Sequence, residues 1–147
     1  MKRKYVPDLT RQMAVCQANY ARLQKLLPKA GEHPVREFRV VWHQKHVLVR
    51  LHIDEEFRYT SSVVMTHIHE PYSPWLESPQ LVIRLYHDAL MAEVICARRR
   101  KQLSGVYGYP NRNMHQPDEK IQLNLFLGEW LNQCLNHGHQ LEVALPE

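Results

Sequence analysis

The sequence has little of what marks secreted, zinc-binding or membrane proteins. It contains only three cysteines, Cys16, Cys96 and Cys134, far apart and without a Cys-x-x-Cys pair, so neither a disulfide framework nor a structural zinc site is expected. Each lies in an apolar pattern, which predicts reduced, buried thiols. No stretch approaches the roughly 18 apolar residues of a membrane-spanning helix, and the basic amino terminus lacks the apolar core of a secretory signal. We therefore expect a cytoplasmic protein without membrane contact.

The chain also lacks the signatures of common catalytic and cofactor sites. There is no P-loop, no Gly-x-Gly-x-x-Gly fingerprint and no nucleophile elbow, so no cofactor is expected. The five glycines and nine prolines are scattered, and 44% hydrophobic with 23% charged residues is typical of a globular protein. A length of 147 residues suits one hydrophobic core. Residues 1–147 are therefore predicted to form a single domain.

An amphipathic helix is predicted over residues 9–27. Apolar residues recur there at spacings of three and four, which is the periodicity of one helix face. They are Leu9, Met13, Cys16, Tyr20, Leu23 and Leu27. Asp8 is the expected N-cap, and Pro28 ends the helix because proline disfavours a helical residue before it.

From Val35 the hydrophobic period changes from 3.6 to 2, which predicts a sheet over residues 35–107. Strands are expected at about 35–43, 47–53, 57–69 and 81–86. Short strands that follow one another without intervening helices form an antiparallel meander. Two interpretations of residues 89–99 compete, because this segment contains good helix formers and also alternates as a strand would. We favour the strand, since a bend at His87 and Asp88 continues the meander.

A second helix is predicted over residues 118–136. Asp118 and Glu119 place negative charge at the positive end of its dipole, and Gly138 is expected to end it as a left-handed C-cap. Its apolar stripe consists of Leu123, Phe126, Leu127, Trp130, Leu131, Cys134 and Leu135. The fold class that follows is α+β: an antiparallel β-meander of about five or six strands, flanked by an N-terminal and a C-terminal helix packed on one sheet face.

Long motifs of the sequence resemble one known family. RLYHDALMAEV (84–94) and YPNRNMHQPDEKIQLNLFLGEWLNQCLNHG (109–138) are similar to the YqiB-like family of small proteobacterial proteins, a domain of unknown function. The opening helix and the segment 73–89 agree as well, and the agreement is poorest between Ala30 and Glu70. The family's genes tend to lie near those of a cyclic-nucleotide phosphodiesterase and an ADP-ribose pyrophosphatase. The resemblance therefore implies a cytoplasmic protein and hints at nucleotide metabolism, without establishing an activity.

The resemblance also implies that the polar residues of these motifs form the candidate site. The matching positions are Arg84, Tyr86, His87, Asp88, Glu93, Tyr109, Asn111, His115, Gln116, Asp118, Glu119, Lys120, Gln122 and Asn124. The residues expected to bind a ligand are Arg84, Tyr86, His87, Tyr109, Asn111, His115, Gln116 and Lys120. One polar patch is expected to bring together Arg84, Tyr86, His87, Asp88, Glu93, Tyr109, Asn111, His115 and Gln116. If the site is catalytic, the imidazoles of His87 and His115 are acid/base candidates, together with the carboxylates of Asp88 and Glu93.

A purely structural role is the competing interpretation, and for residues 84–94 we favour it. A buried Arg84 requires a partner, which Glu93 supplies across the hairpin. Asp88 then caps the bend by accepting backbone amide hydrogens.

Two weaker candidates lie outside these motifs. His67 and His69 share one strand face, as metal ligands would, but a solvated strand end explains them better and no metal is expected. The net charge of +4 permits contact with nucleic acid. The one dense basic run, Arg98–Lys101, has no interleaved aromatic residues, so nucleic-acid binding ranks third among the functions considered.

Together these observations favour a non-catalytic module that binds a small ligand or a protein partner and has a regulatory role. The alternative is a hydrolase acting on a nucleotide or phosphoester. In that alternative His87 and His115 exchange protons with the substrate, and Arg84 and Lys120 hold its anionic group. At this point both alternatives stay open.

Overall fold

The computed structural model describes residues 9–29, 31–42, 44–69, 79–99 and 117–141. The helices and strands, in chain order, are α1 (Leu9–Leu26), β1 (Val35–Trp42), β2 (Lys45–Glu56), β3 (Thr60–His69), β4 (Pro79–Tyr86), β5 (Met91–Arg99), α2 (Pro117–His137) and β6 (His139–Leu141). The predicted helix bounds hold to within a residue. The strand interpretation of residues 89–99 is confirmed, since β5 follows a turn at His87–Leu90.

The strands form one six-stranded antiparallel sheet in the order β5-β4-β3-β2-β1-β6. Five of them succeed one another as a meander, and β6 returns after α2 to pair with β1 at the far edge. The predicted α+β meander with two flanking helices is therefore confirmed. β6 was not predicted, because three residues after a helix carry too little alternation to indicate a strand.

The core lies between one face of the sheet and the two helices. Alternate residues of β1 to β5 point into it, as on β4, where Leu81, Ile83 and Leu85 are buried. The helices contribute Leu23, Leu26, Leu127, Trp130, Leu131 and Cys134 to the same cluster. Within the part of the chain that the structure describes, no helix is long and apolar enough to span a membrane.

The buried side of α1 agrees with the predicted stripe only in its second half, where Leu23 is buried and Tyr20 and Leu27 pack against the core. Its buried residues are Asn19, Leu23 and Leu26, whereas Leu9 and Met13 are 67% and 51% exposed. The helix is rotated because it packs against α2 through Asn19, which the apolar periodicity does not take into account.

Two further expectations are corrected. Cys134 is buried, and burial raises the pKa of its thiol to about 12, but Cys16 and Cys96 are only half-buried. Gly138 does not adopt the left-handed conformation expected of a C-cap. A Cβ at Gly138 would lie 2.5 Å from the carbonyl oxygen of Cys134, so glycine is required there because the chain passes close to the preceding turn.

Candidate functional site

The structure brings three of the predicted site residues together at the β5 edge of the sheet. Tyr86 donates its hydroxyl hydrogen to Glu93 Oε1 at 2.8 Å, and Lys120 Nζ lies 3.1 Å from Glu93 Oε2. We call Tyr86, Glu93 and Lys120 the Glu93 cluster. Arg84 is the cross-strand neighbour of Glu93, but it is exposed and the carboxylate is bonded by the other two residues instead. The expected buried Arg84–Glu93 pair is corrected accordingly.

The carboxylate of Glu93 changes the titration of its surroundings. Burial, and then the hydrogen bond to Glu93, raise the pKa of Tyr86. Burial and the same negative charge raise the pKa of Cys16 on α1, with Lys120 acting in the opposite direction. Each oxygen of this carboxylate already has one donor, a phenol or an ammonium group, which is typical of a structural ion-pair network.

His87 lies apart from the Glu93 cluster, on the helix side of the sheet. It follows the last residue of β4, and its backbone amide donates to the carbonyl of Tyr59 at 2.8 Å, which fixes the turn. Its Nδ1 lies 2.9 Å from the hydroxyl of Tyr20 on α1, and its Nε2 lies 2.7 Å from Ser61 Oγ on β3. The expected single patch containing both His87 and Glu93 is corrected, because successive residues at a strand end point to opposite faces.

A cleft of about 310 Å³ opens beside this imidazole, and we call it the His87 cleft. Its polar lining comes from Gln24, Lys29, Glu56, Ser61 and His87, and its apolar lining from Leu27, Pro28, Ile53, Val63 and Leu85. The end of α1, the end of β2 and the starts of β3 and the β4–β5 turn therefore meet around one concave surface.

The hydroxyl groups of Tyr20 and Ser61 determine which hydrogen bonds the imidazole of His87 forms. In its neutral form one ring nitrogen donates and the other accepts, and a hydroxyl group can take either role. Tyr20 and Ser61 thus hold the ring in place in either tautomer. Sequence reasoning placed Tyr20 in an apolar stripe and Ser61 in a strand alternation, and no sequence signal connects these two positions to His87.

Two other predicted residues have local roles or lie against the core. Asp88 is exposed and accepts a hydrogen bond at 3.0 Å from the amide of Ala89, in agreement with a turn cap. His67 is buried, with its ring centroid 4.3 Å from that of Trp130, so the expected solvated strand end is wrong for this residue. Among the described residues, no group of three or more His, Cys, Asp or Glu side chains could hold a metal ion.

A buried polar network that sequence reasoning missed connects both helices to β5. Asn124 Oδ1 accepts from the amide of Val94 at 2.8 Å, and Asn19 donates to the backbone carbonyl of Asn124 at 2.9 Å. Arg22 in turn donates to Asn19 Oδ1 at 2.9 Å. Asn124 and Gln122 are both motif residues, but Asn124 is buried whereas Gln122 is exposed.

Several predicted residues lie outside the described part of the chain. They are Tyr109, Asn111, His115, Gln116, Arg100 and Lys101, together with the side chains of His69, Arg98, Arg99, Asp118 and Glu119. Their proposed roles stay predictions.

Comparison with known proteins identifies the family of the chain. Residues 22–140 match the family described as "Protein of unknown function (DUF1249)". The chain is 38% identical over 144 residues to "Uncharacterized protein YqiB" of Escherichia coli strain K12, and the match covers 98% of each chain. The proteins of the same name from strains O6:H1 and O157:H7 match equally well, while no solved structure matches. The resemblance seen in the sequence motifs is confirmed, and the chain belongs to the DUF1249 family.

Proposed function

We propose that this protein is a non-catalytic binding module that holds a small ligand in the His87 cleft. The observation that carries the proposal is the two-sided anchoring of the imidazole by Tyr20 and Ser61 at the wall of that cleft. A ring held on both sides gives the wall of the cleft a constant shape, and such preorganisation reduces the entropy lost on binding.

The size and lining of the cleft support this proposal. Its volume of about 310 Å³ is at the lower end of the range of small-molecule sites. Five of the ten lining residues are apolar and five are polar, and Lys29 and Glu56 are available to orient a ligand.

The hydrogen bonds of His87 favour binding over proton transfer. Both ring nitrogens are engaged by hydroxyl groups, and among the residues that the structure describes no carboxylate bonds to the imidazole. A carboxylate partner is what stabilises the imidazolium form in hydrolases that use histidine as a base. Arg84 and Lys120, expected as anion clamps, are not among the residues that line the cleft.

Thermal unfolding against a panel of nucleotides and sugar phosphates tests the proposal. A compound present at about 100 times its Kd should stabilise the native state by about 2.7 kcal/mol, which raises Tm by several degrees at this chain length. We expect Ser61→Ala and Tyr20→Phe to reduce that shift, because each removes one of the hydroxyl groups that hold His87.

Matched control variants are available for both substitutions. Ser62→Ala changes a buried serine on the opposite face of β3, and Tyr86→Phe removes a hydroxyl group that bonds Glu93 instead. Both should keep the full ligand shift. The proposal is contradicted if no compound raises Tm, or if Ser61→Ala and Ser62→Ala respond alike.

A hydrolase acting on a nucleotide or phosphoester is the second candidate. The 2.7 Å contact between Ser61 Oγ and His87 Nε2 favours it, since a nucleophile and its base lie at this distance. Release of phosphate from the nucleotides of the same panel separates the two functions. If the protein is an enzyme, His87→Ala should lower its turnover about 100-fold or more. If it is a binding module, the wild-type protein should release no phosphate.

A further inference from the structure

A second pocket lies next to the His87 cleft, beyond the end of α1. Its volume is about 190 Å³, and it shares Pro28, Lys29, Ile53 and Glu56 with the cleft. We call it the Asp54 pocket, because Asp54 lines it and does not line the cleft. Adjacent pockets can hold the two ends of one ligand, so the charges around both determine which ligand fits.

An irregularity in β2 directs two carboxylates towards these pockets. The pairing of β2 with β3 shifts by one residue at Asp54, which is not paired with a residue of β3. Strict alternation from Ile53 would place Glu56 on the opposite face of the sheet. After the shift, Glu56 pairs with Ser61, and both residues line the His87 cleft. β-bulges that re-aim a side chain in this way are frequent next to active sites.

Carboxylates outnumber cations around the two pockets. Asp54 and Glu56 are exposed, and neither carboxylate forms a hydrogen bond or ion pair with a described residue. The third lining carboxylate, Glu32, is already engaged, since it pairs with Arg36 and accepts from the backbone amide of Lys29 at 3.2 Å. Of the described residues that line the two pockets, only Lys29 carries a permanent positive charge. A ligand with several negative charges would therefore be repelled.

The end of α1 adds to the negative potential of the cleft. Gln24 and Pro28 both line it. Because proline has no N–H, the carbonyl of Gln24 lacks the donor that the next helical turn usually supplies. The carboxyl end of a helix also carries a partial negative charge. A positively charged group in the cleft would interact favourably with both.

From these observations we propose that the ligand of the His87 cleft is an amine that also carries one anionic group, as an amino sugar phosphate does. Its ammonium group lies towards Asp54 and Glu56, and its anionic group lies towards Lys29. Charged hydrogen bonds of this kind are stronger than neutral ones and fix the orientation of a ligand. This ligand class rests on the proposed function, since it applies only if the His87 cleft binds a small molecule.

A matched pair of sugar phosphates tests the ligand class. Glucosamine 6-phosphate and glucose 6-phosphate differ only in the amino group that replaces one hydroxyl group, and isothermal titration calorimetry with the full-length chain at neutral pH measures both Kd values. We expect the Kd of the amine to be at least about fivefold lower, because its ammonium group donates to the carboxylates of Asp54 and Glu56. The double variant Asp54→Asn/Glu56→Gln should bind both compounds with similar Kd. Lys29→Met should weaken both alike and keep the preference for the amine.

Glu55→Gln/Glu129→Gln is the matched control variant. It also removes two negative charges from exposed positions, but neither residue lines the His87 cleft or the Asp54 pocket. The preference for the amine should therefore stay that of the wild type.

The outcomes separate the ligand class from the proposed function. If the wild type binds glucose 6-phosphate as tightly as the amine, or if Asp54→Asn/Glu56→Gln keeps the preference, the ligand class is wrong and the proposed function stands. A nucleotide that binds more tightly than glucosamine 6-phosphate, or a Lys29→Met variant that binds as tightly as the wild type, would also overturn it. If no compound of the panel binds, the proposed function fails and the ligand class fails with it.

Discussion

Gly138 follows α2 for a steric reason, and substitutions can distinguish this from a conformational one. Any Cβ at this position would lie 2.5 Å from the carbonyl oxygen and 2.9 Å from the Cα of Cys134. We expect Gly138→Ala to lower the free energy of unfolding by about 1–3 kcal/mol, the usual cost of a forced backbone shift. Urea unfolding measures this change.

Asparagine at the same position provides the discriminating variant. Asparagine tolerates the left-handed conformation, so it would preserve stability if Gly138 were a conformational cap. The steric explanation requires Gly138→Asn to lower the free energy of unfolding at least as much as Gly138→Ala does. Gly31, with a φ of 86° and open space around it, is the reference for the opposite case, in which alanine suffers only backbone strain of about 1 kcal/mol. A native-like Gly138→Asn variant would refute the steric explanation.

The candidate site could be predicted from the sequence only in part. Alternation along β4 is enough to place His87 on the side of Leu85, away from Arg84 and Tyr86. It gave no indication that Tyr20 and Ser61 hold the ring, because three positions on α1, β3 and a turn meet only through tertiary packing. Local periodicity shows which face a residue occupies, and it contains no information on which other element covers that face.

Among the elements, α2 supplies a hydrogen-bond partner to the outer edge of β5. An edge strand has backbone groups that its single neighbouring strand does not pair, and these must be satisfied or covered. Asn124 accepts from the Val94 amide and donates to the carbonyl of Lys120 at 3.0 Å. The helix therefore pairs with the strand through one side chain in place of a further strand.

Replacement of Asn124 tests how much the hydrogen bond to the Val94 amide contributes to stability. In Asn124→Ala the buried Val94 amide loses its acceptor, and we expect the free energy of unfolding to fall by about 1–3 kcal/mol. Native-state hydrogen exchange should show faster exchange of the Val94 amide than of neighbouring amides that pair with β4. Asn136→Ala, at an exposed position on the same helix, should change stability by less than about 0.5 kcal/mol. Unaltered protection of Val94 in Asn124→Ala would show that the contact has no such role.

Element types were more predictable than helix faces. The change of hydrophobic period at Val35 and the alternation along β2 and β4 reflect burial of one sheet face, so the meander followed from the sequence. The rotation of α1 did not follow, because a buried asparagine at position 19 replaces an apolar residue at the helix contact. Hydrophobic patterns fail where polar pairs provide the packing.

At the scale of the molecule, one contiguous core joins all the main elements. Leu23 of α1, Leu131 of α2 and Val49 of β2 belong to the same buried cluster. α2 also connects β5 to β1, since its first turns contact β5 and the chain after it forms β6 at the opposite edge. Neither the helices nor the sheet can bury their apolar faces without the other, which supports the expectation of a single cooperative domain.

Cooperativity of this kind predicts that two probes of unfolding report one transition. Tryptophan fluorescence and far-UV circular dichroism should give coincident urea curves, because loss of the helices exposes the core face of the sheet. Leu131 is fully buried, and Leu131→Ala should lower the free energy of unfolding by about 2–5 kcal/mol and shift both curves by the same amount. The exposed Leu90 offers the comparison, since Leu90→Ala should shift neither curve appreciably. Separate transitions in the wild type, or a shift of only one curve in Leu131→Ala, would mean that the helices and the sheet unfold as distinct units.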